Sequence, residues 1–381
     1  MVQCSAEFPS RPVAQLLGSN GPIHALTYSS TPSTYILTGS SDRSIRLYNP
    51  STTSPSSSSS SSIPSGKLIQ TYQNSHAYEV LSLSISASNA HFASAGGDRT
   101  VHLWDVSTAV AIRRFGSSST THSHTGRVNA VAFAGQDDSL LVSGGLDCTV
   151  RLWDVRAQNS TKPIQVLSEA RDSVTSIAVH DAEVVAGSVD GRVRTYDVRM
   201  GRCVTDVFPA SVTSLCLSRD GKTCLVGSLD SRIRLMDRRD GTCLKQYYSS
   251  SSSEKEEREN DTTTTTATWK NTELRVQSCF GGKEKWVVTG DEMTATTGTG
   301  EEIIKNNEGR VWAWDLMTGR LVARVSVPWG PDNSRRVVIG RDGKEKERKN
   351  VVSCIAWQDG GFGSQFAVGG TSGVVTVFGE P

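Results

Sequence analysis

Short runs in which apolar residues alternate with small or polar ones recur along this chain at a near-regular interval. "VLSLSI" (80–85), "VNAVAF" (128–133), "VTSIAV" (174–179) and "VTSLCL" (212–217) share that texture. Side chains of a strand point to alternate faces, so a period of two predicts strands, and no long helical pattern competes with it. A second short strand, a turn holding an aspartate and a third strand follow each run. A fourth, outer strand then closes each unit: "AVAIRRF", "KPIQVL", "GRCVTDVF" and "GTCLKQYY". The turn and third strand are the most alike, as in "ASAGGDRTVHLWDV" (93–106) and "LVSGGLDCTVRLWDV" (141–155). Looser copies read "ILTGSSDRSIRLYNP", "VVAGSVDGRVRTYDV" and "CLVGSLDSRIRLMDR".

The turn aspartates Asp42, Asp98, Asp147, Asp190 and Asp230 are 56, 49, 43 and 40 residues apart. The shorter steps match the ~40–45 residues of a four-stranded propeller blade. Two degenerate copies complete the set. "WVVTG" with "GRVWAWDL" carries Glu308 where the turn aspartate should be, and "VVSCIAW", "FAVGG" and "GVVTVF" carry Ser372 there. The last copy stops after its third strand, and "PVAQLL" (12–17) is the unassigned strand that can complete it. The expected fold is all-β: a seven-bladed β-propeller closed by the N-terminal strand, one domain over 12–381. Its blade cores fall near 23–48, 80–104, 128–153, 174–196, 212–236, 273–314 and 351–378. Closure shields strand edges that an open array would expose.

A motif copied five times indicates architecture, since a hydrolytic Asp–His–Ser site needs one convergent set. In the turn an ionised carboxylate can accept backbone N–H bonds, and His76 and His124, four residues before their inner strands, can bond it. Trp104, Trp153 and Trp314 offer apolar surface suited to packing between blades. No nucleophile has a local orienting set, so the chain is read as a non-enzyme without cofactor or metal. "THSHT" could offer His122 and His124 to a metal, but two histidines without further nearby ligands carry little, and His124 has its turn role. "GTGEE" and "GGFG" lack the spacing and setting of phosphate loops.

Four stretches break the period and are expected to be disordered insertions: 51–66, 248–270, 291–308 and 328–350. Strand order puts the last three on the top rim and the serine tract on the bottom. Residues 254–261 hold five acids against two bases, and 335–349 seven bases against three acids. Solvated loops are the plain reading. The alternative has the basic loop attract an acidic partner while the acidic loop competes, so deleting 254–261 would tighten binding at low salt.

Lys+Arg number 40 against Asp+Glu 39, which gives no global pull toward nucleic acid or anionic lipid. An RNA groove using Arg127, Arg171 and Arg192 is weighed against that neutrality and sparse aromatics. No apolar run approaches the roughly 20 residues of a membrane span, and the N-terminus lacks a secretory pattern. Eight cysteines without a C-x-x-C pair suit buried reduced thiols in a cytoplasmic or nuclear protein.

At "GGDRTVHLWDV" and "GGLDCTVRLWDV" the chain resembles the WD-repeat family, over roughly 12–380 apart from the insertions. Residues 168–202, "HAYEVLSLSISASN" and "LVGSLDSRIRLMDRRDGTCLKQY" look like counterparts in the mitogen-activated protein kinase organiser family. That resemblance implies a scaffold without enzymatic activity, with kinase-cascade or spliceosomal proteins as partners. The ring itself is expected to be monomeric, with no membrane and no direct nucleic-acid contact. "WDVR", "YDVR" and "MDRR" are similar to the box by which some propellers dock on the adaptor of cullin-type ubiquitin ligases. Arg156, Arg199 and Arg239 would make that contact; the alternative is solvated turn residues or ion pairs. The expected partner surface is the top rim of blades two to four: Tyr78, Glu79, Arg127, Arg171 and Asp172, where Tyr and Arg are favoured anchor types.

Overall fold

The computed structural model describes residues 8–53, 63–116, 122–157, 160–249, 268–293, 308–331, 337–339, 345–358 and 364–380. Seven four-stranded antiparallel sheets follow one another along the chain. Blade 1 is Ile23–Tyr28, Ile36–Ser40, Ile45–Thr53 and Gly66–Tyr72; blade 2 is Val80–Ile85, His91–Gly96, Val101–Asp105 and Ala111–Phe115. Blades 3, 4 and 5 begin with Val128–Ala134, Val174–His180 and Val212–Leu217 and repeat the same order. Blade 6 comprises Ser278–Gly281, Trp286–Thr289, Gly309–Asp315 and Leu321–Val327. Blade 7 comprises Val352–Trp357, Phe366–Gly370 and Val375–Gly379, and its fourth strand is Arg11–Leu16 from the other end of the chain.

The first strand of each blade touches the first strand of the next, and Val352–Trp357 returns to Ile23–Tyr28, so these strands line one axis. Side chains stitch neighbours together along it. Val131 and Phe133 donate their backbone N–H groups to Ser82 Oγ (3.1 Å) and Ser84 Oγ (3.2 Å). Asn129 Nδ2 donates to Val174 O (2.8 Å), and Thr175 Oγ1 to Val212 O (2.7 Å). Small and hydroxyl residues suit these strands because each must satisfy polar groups next to a close neighbour.

Seven apolar clusters fill the seven junctions, each drawing from two adjacent blades. Trp104 packs with Leu37, Ile45 and Tyr72 of blade 1, and Trp153 with Ala93, Leu103 and Phe115 of blade 2. Trp314 lies with Leu225, Ile233 and Tyr247 of blade 5. Burying such rings contributes roughly 1.5–3 kcal/mol each, so the stability of the ring lives at its junctions. Closure at the seventh has an unforeseen component. Phe8, ahead of the latching strand, is buried with its ring 5.3 Å from Trp286 and 5.5 Å from Phe366.

The expected insertions are too wide at their edges. Blade 1's third strand runs to Thr53 and its fourth starts at Gly66; Trp269, Asp291 and Glu292 are buried within ranges read as disordered. Val337–Ile339 and Glu345–Glu347 pair as a small hairpin inside 328–350. The acidic stretch 254–261 and the Arg335, Arg336, Arg341 and Lys344 part of the basic stretch lie outside the described residues.

Candidate interaction surfaces

The turn acids lock the top rim in two chemically different ways. In blade 3, His124 Nδ1 lies 2.9 Å from Asp147, His124 Nε2 lies 2.8 Å from Ser143 Oγ, and Trp153 Nε1 donates to that same Oγ at 2.8 Å. Trp donates only, so Ser143 Oγ accepts from it and sends its own proton to His124, whose Nδ1–H then faces the carboxylate. Blade 2 repeats the chain through Trp104, Ser94, His76 and Asp98. Burial raises the Asp147 carboxyl, but hydrogen bonding and charge from His124, with Thr149 and Thr125, outweigh it and hold it at about 2. Asp98 is likewise driven far below the usual carboxylate range: its burial is outweighed by His102 and His76. Burial in turn lowers the pKa of His124, partly offset by Asp147, which favours the neutral ring.

Blades 1, 4 and 5 have no such histidine. Arg46 pairs with Asp42 (2.8 Å) and Arg194 with Asp190 (2.7 Å), and Arg234 pairs with Asp230, each arginine four residues beyond its acid and nearly enclosed. The pattern is present in "DRSIR", "DGRVR" and "DSRIR", but a charged residue on a strand reads as exposed unless its partner is recognised. The residue after the aspartate is left-handed in all five turns: Arg43, Arg99, Cys148, Gly191 and Ser231.

Glu308 does not perform the turn role in blade 6; it accepts from Ser326 Oγ (2.6 Å) on the outer strand. Glu292 does, accepting the N–H groups of Thr272, Glu273 and Leu274 at 2.8–3.0 Å, while Asp291 accepts from Trp312 Nε1 at 2.9 Å. The long stretch between the second and third strands hid this, because the acid stays with the second strand. Ser372 in blade 7 accepts the N–H of Val374 (3.3 Å), as Asp98 accepts that of Thr100.

The expected rim residues stand near the start of the inner strands. Tyr78 is 60% exposed; Arg127, Arg171 and Asp172 are exposed and Glu79 is half-buried. Their backbones are held by the turns: Gly97 N donates to Glu79 O, Leu146 N to Arg127 O, and Arg171 N to Asp190. Leu146, 48% exposed on the blade 3 turn, joins this rim and is missing from the expected set. So are His24 and Arg275, which stand at the same level on blades 1 and 6. Aligning "VQS" (276–278) with "VLS" (80–82) marks Arg275 as the equivalent of Glu79.

On the opposite face, Arg156, Arg199 and Arg239 are all exposed. The backbone N–H of each donates to Asp154, Asp197 or Asp237 at 2.7–2.9 Å, so the turn fixes where each side chain starts. Arg156 also pairs with the exposed Asp137 (3.3 Å). Arg199 borders a cavity of about 720 Å³ between blades 3 and 4, lined by Phe133, Leu140, Leu152, Val179 and Val198 with His180 at its edge.

His76, Asp98 and His102 bring one ligand atom each within 4.8 Å of one another. Both ring nitrogens of His76 are already engaged by Asp98 and Ser94, and His102 Nε2 lies 3.0 Å from Thr100 Oγ1, so the group reads as a hydrogen-bonded turn. The seven described cysteines are free; Cys224 and Cys354 are buried, with burial pushing each thiol up to about 12. Cys203 and Cys243 are exposed on outer strands, which corrects the expectation of buried thiols. No helix of the described residues is long and apolar enough to cross a membrane.

Seven blades, their turn acids and the N-terminal latch define a WD-repeat β-propeller. The WD domain, G-beta repeat model matches residues 10–49, and the Nucleolar protein 10-like, N-terminal domain model matches residues 83–271. Among relatives, the chain is 25% identical to the WD repeat domain-containing protein 83 homolog of Dictyostelium discoideum, over 82% of this chain and 87% of that one. It is 34% identical to WD repeat domain-containing protein 83 of Rattus norvegicus over 44% of this chain and 42% of the relative. A guanine nucleotide-binding protein subunit beta of Arabidopsis thaliana is 30% identical over 35% of this chain and 37% of its own. The match thus covers most of the Dictyostelium relative and less than half of the other two.

Proposed function

We propose that this propeller is a non-catalytic scaffold organising an extracellular-signal-regulated kinase-type cascade. The observation that carries the scaffold reading is the separation of two exposed surfaces on one closed ring. The top rim presents Tyr78, Leu146, Arg127, Arg171 and Asp172, and the bottom presents a groove of mixed polar and apolar lining beside Arg199. Partners held on both gain effective concentration for each other without any chemistry from the ring. The kinase assignment rests on the organiser-like segments at 168–202 and in blades 2 and 5, while the relatives that carry the WD repeat domain-containing protein 83 name support a WD-repeat propeller.

A second reading, docking on a cullin-type ligase adaptor, is favoured by the exposed arginines set on equivalent turns of three consecutive blades. Affinity purification from cell extract, with and without ribonuclease, separates the readings. Recovery of cascade kinases insensitive to ribonuclease supports the proposal. Ribonuclease-sensitive recovery of splicing proteins from nuclear extract would replace it with a role in a spliceosomal complex, and adaptor recovery that depends on Arg156, Arg199 and Arg239 would replace it with the ligase role.

A further inference from the structure

Each nearly enclosed arginine of the turns has a carboxylate beside it: Arg46, Arg151, Arg194 and Arg234 pair with Asp42, Asp147, Asp190 and Asp230. Arg275, which is half-buried, has none among the described residues. It sits three residues before the inner strand of blade 6, and its Nη1 reaches the inner strand of blade 3 to donate to Asn129 O at 3.0 Å. Blades 3 and 6 are on opposite sides of the ring, so the guanidinium crosses the top of the central channel. Its Nε is buried without a hydrogen-bond partner. Arg127, the equivalent residue of blade 3, is exposed at the same mouth and forms no ion pair among the described residues.

The electrostatics agree with that geometry. Burial, and then the Arg127 charge, lower Arg275 to about 10, which leaves it charged at neutral pH. His24 at the same level is kept low first by burial, against the pull of Glu79 and with the push of Arg275 and Arg127. Among the described residues, the charges that act on His24 are thus two guanidinium groups against one carboxylate, Glu79. Leaving a desolvated cation unpaired is costly, and an anion supplied from outside removes that cost. Guanidinium forks match the oxygens of a phosphate in charge and in hydrogen-bond direction.

We propose that the top mouth of the channel is a phosphate-binding site, with Arg275 holding the anion from within, Arg127 closing on it from the rim and Glu79 opposing it. This goes beyond the scaffold reading and does not depend on which proteins the ring assembles. The probes are inorganic phosphate, glutarate, and the peptide Ala-Gly-Ser-Gly-Ala with and without phosphate on its serine. Each is titrated calorimetrically into the full chain at constant ionic strength. Saturable phosphate binding is expected, weakened about tenfold or more by Arg275→Met and about threefold by Arg127→Met, and tightened a few fold by Glu79→Gln. Arg127 and Glu79 bond no neighbour through their side chains among the described residues, so those two variants decide the matter if Arg275→Met does not fold. Binding of the phosphopeptide as well as phosphate identifies a phosphorylated side chain as the occupant; phosphate alone identifies a free anion. Both support the site. Absence of saturable phosphate binding, equal binding by glutarate, or affinities unchanged in Arg127→Met and Glu79→Gln would overturn it.

Discussion

Removing the Asp147 carboxylate measures how much of the ring its top turns hold. Asp147 accepts from His124 Nδ1 (2.9 Å), Thr125 N (3.1 Å), Thr149 N (3.3 Å), Thr149 Oγ1 (2.9 Å) and Arg151 Nη2 (3.5 Å). In Asp147→Ala the threonine groups can turn to water. The His124 ring, whose side chain is 1% exposed, cannot, and an unpaired buried N–H costs about 1–3 kcal/mol. Arg151, also enclosed, loses its only carboxylate among the described residues, and the two effects together come to about 3 kcal/mol. For a domain of this size that lowers the melting temperature by about 4 °C. Urea unfolding of Asp147→Ala, His124→Ala and the double variant forms a cycle, with about 1–2 kcal/mol of coupling expected. The loss also depends on pH in a fixed direction. The folded-state pKa of Asp147, about 2, is below its ordinary 3.8, so its ionisation stabilises the fold above pH 3.8 and ceases to do so as pH falls toward 2. That part is worth about 1–2 kcal/mol after solvent screening, so wild type and Asp147→Ala should converge in acid. A single-variant loss below about 0.5 kcal/mol, or strict additivity in the cycle, would refute the reasoning.

Closure at blade 7 is tested by Ala14→Asp, which places a carboxylate at a fully buried position of the latching strand; light scattering should show loss of the folded monomer in favour of aggregates. Gly191 is left-handed, and a Cβ there would meet Phe208 O at 2.8 Å, so Gly191→Ala should cost about 1–3 kcal/mol in urea unfolding. Cys148→Gly relieves the same left-handed strain and should gain about 0.5 kcal/mol by that measurement. Arg156, Arg199 and Arg239 hold their turns through backbone N–H groups, so changing all three to Ala should move stability by less than about 0.5 kcal/mol. Adaptor recovery by affinity purification from cell extract is then a clean readout of docking.

Features carried by local order were legible in the chain. The inner-strand runs, the turn aspartates, the His76 and His124 partnerships and the latch at residues 12–17 depend on alternation and fixed offsets, and the structure forms each of them. What escaped notice depends on partners far away or on charge out of its usual place. Arg46, Arg194 and Arg234 sit on strand faces where a cation is ordinarily exposed, and only their acids make burial tolerable. Phe8 fills a gap between blades 6 and 7 that exists only once the ring has closed. Arg275 meets Asn129 across 146 residues of chain, a contact no repeat period encodes. Glu308 is not the turn acid, because an insertion separates it from the strand end, where Glu292 takes that role.

The turn acids and the candidate contact residues form one system. Asp42, Asp147, Asp190 and Glu292 each accept a backbone N–H from the loop that enters an inner strand: Asn20, Thr125, Arg171 and Thr272. Those loops lead into His24, Arg127, Asp172 and Arg275. A repeated structural residue therefore sets where a blade-specific side chain stands, while the side chain itself remains free to differ between blades. Blades 2 and 3 use histidine in that lock, and blades 1, 4 and 5 use arginine, whose charge does not change near neutral pH. Mild acid should accordingly loosen the rim first at blade 3, where the buried neutral His124 ring must take up a proton, which places Arg127 on the pH-sensitive side of the ring and Arg171 on the insensitive one.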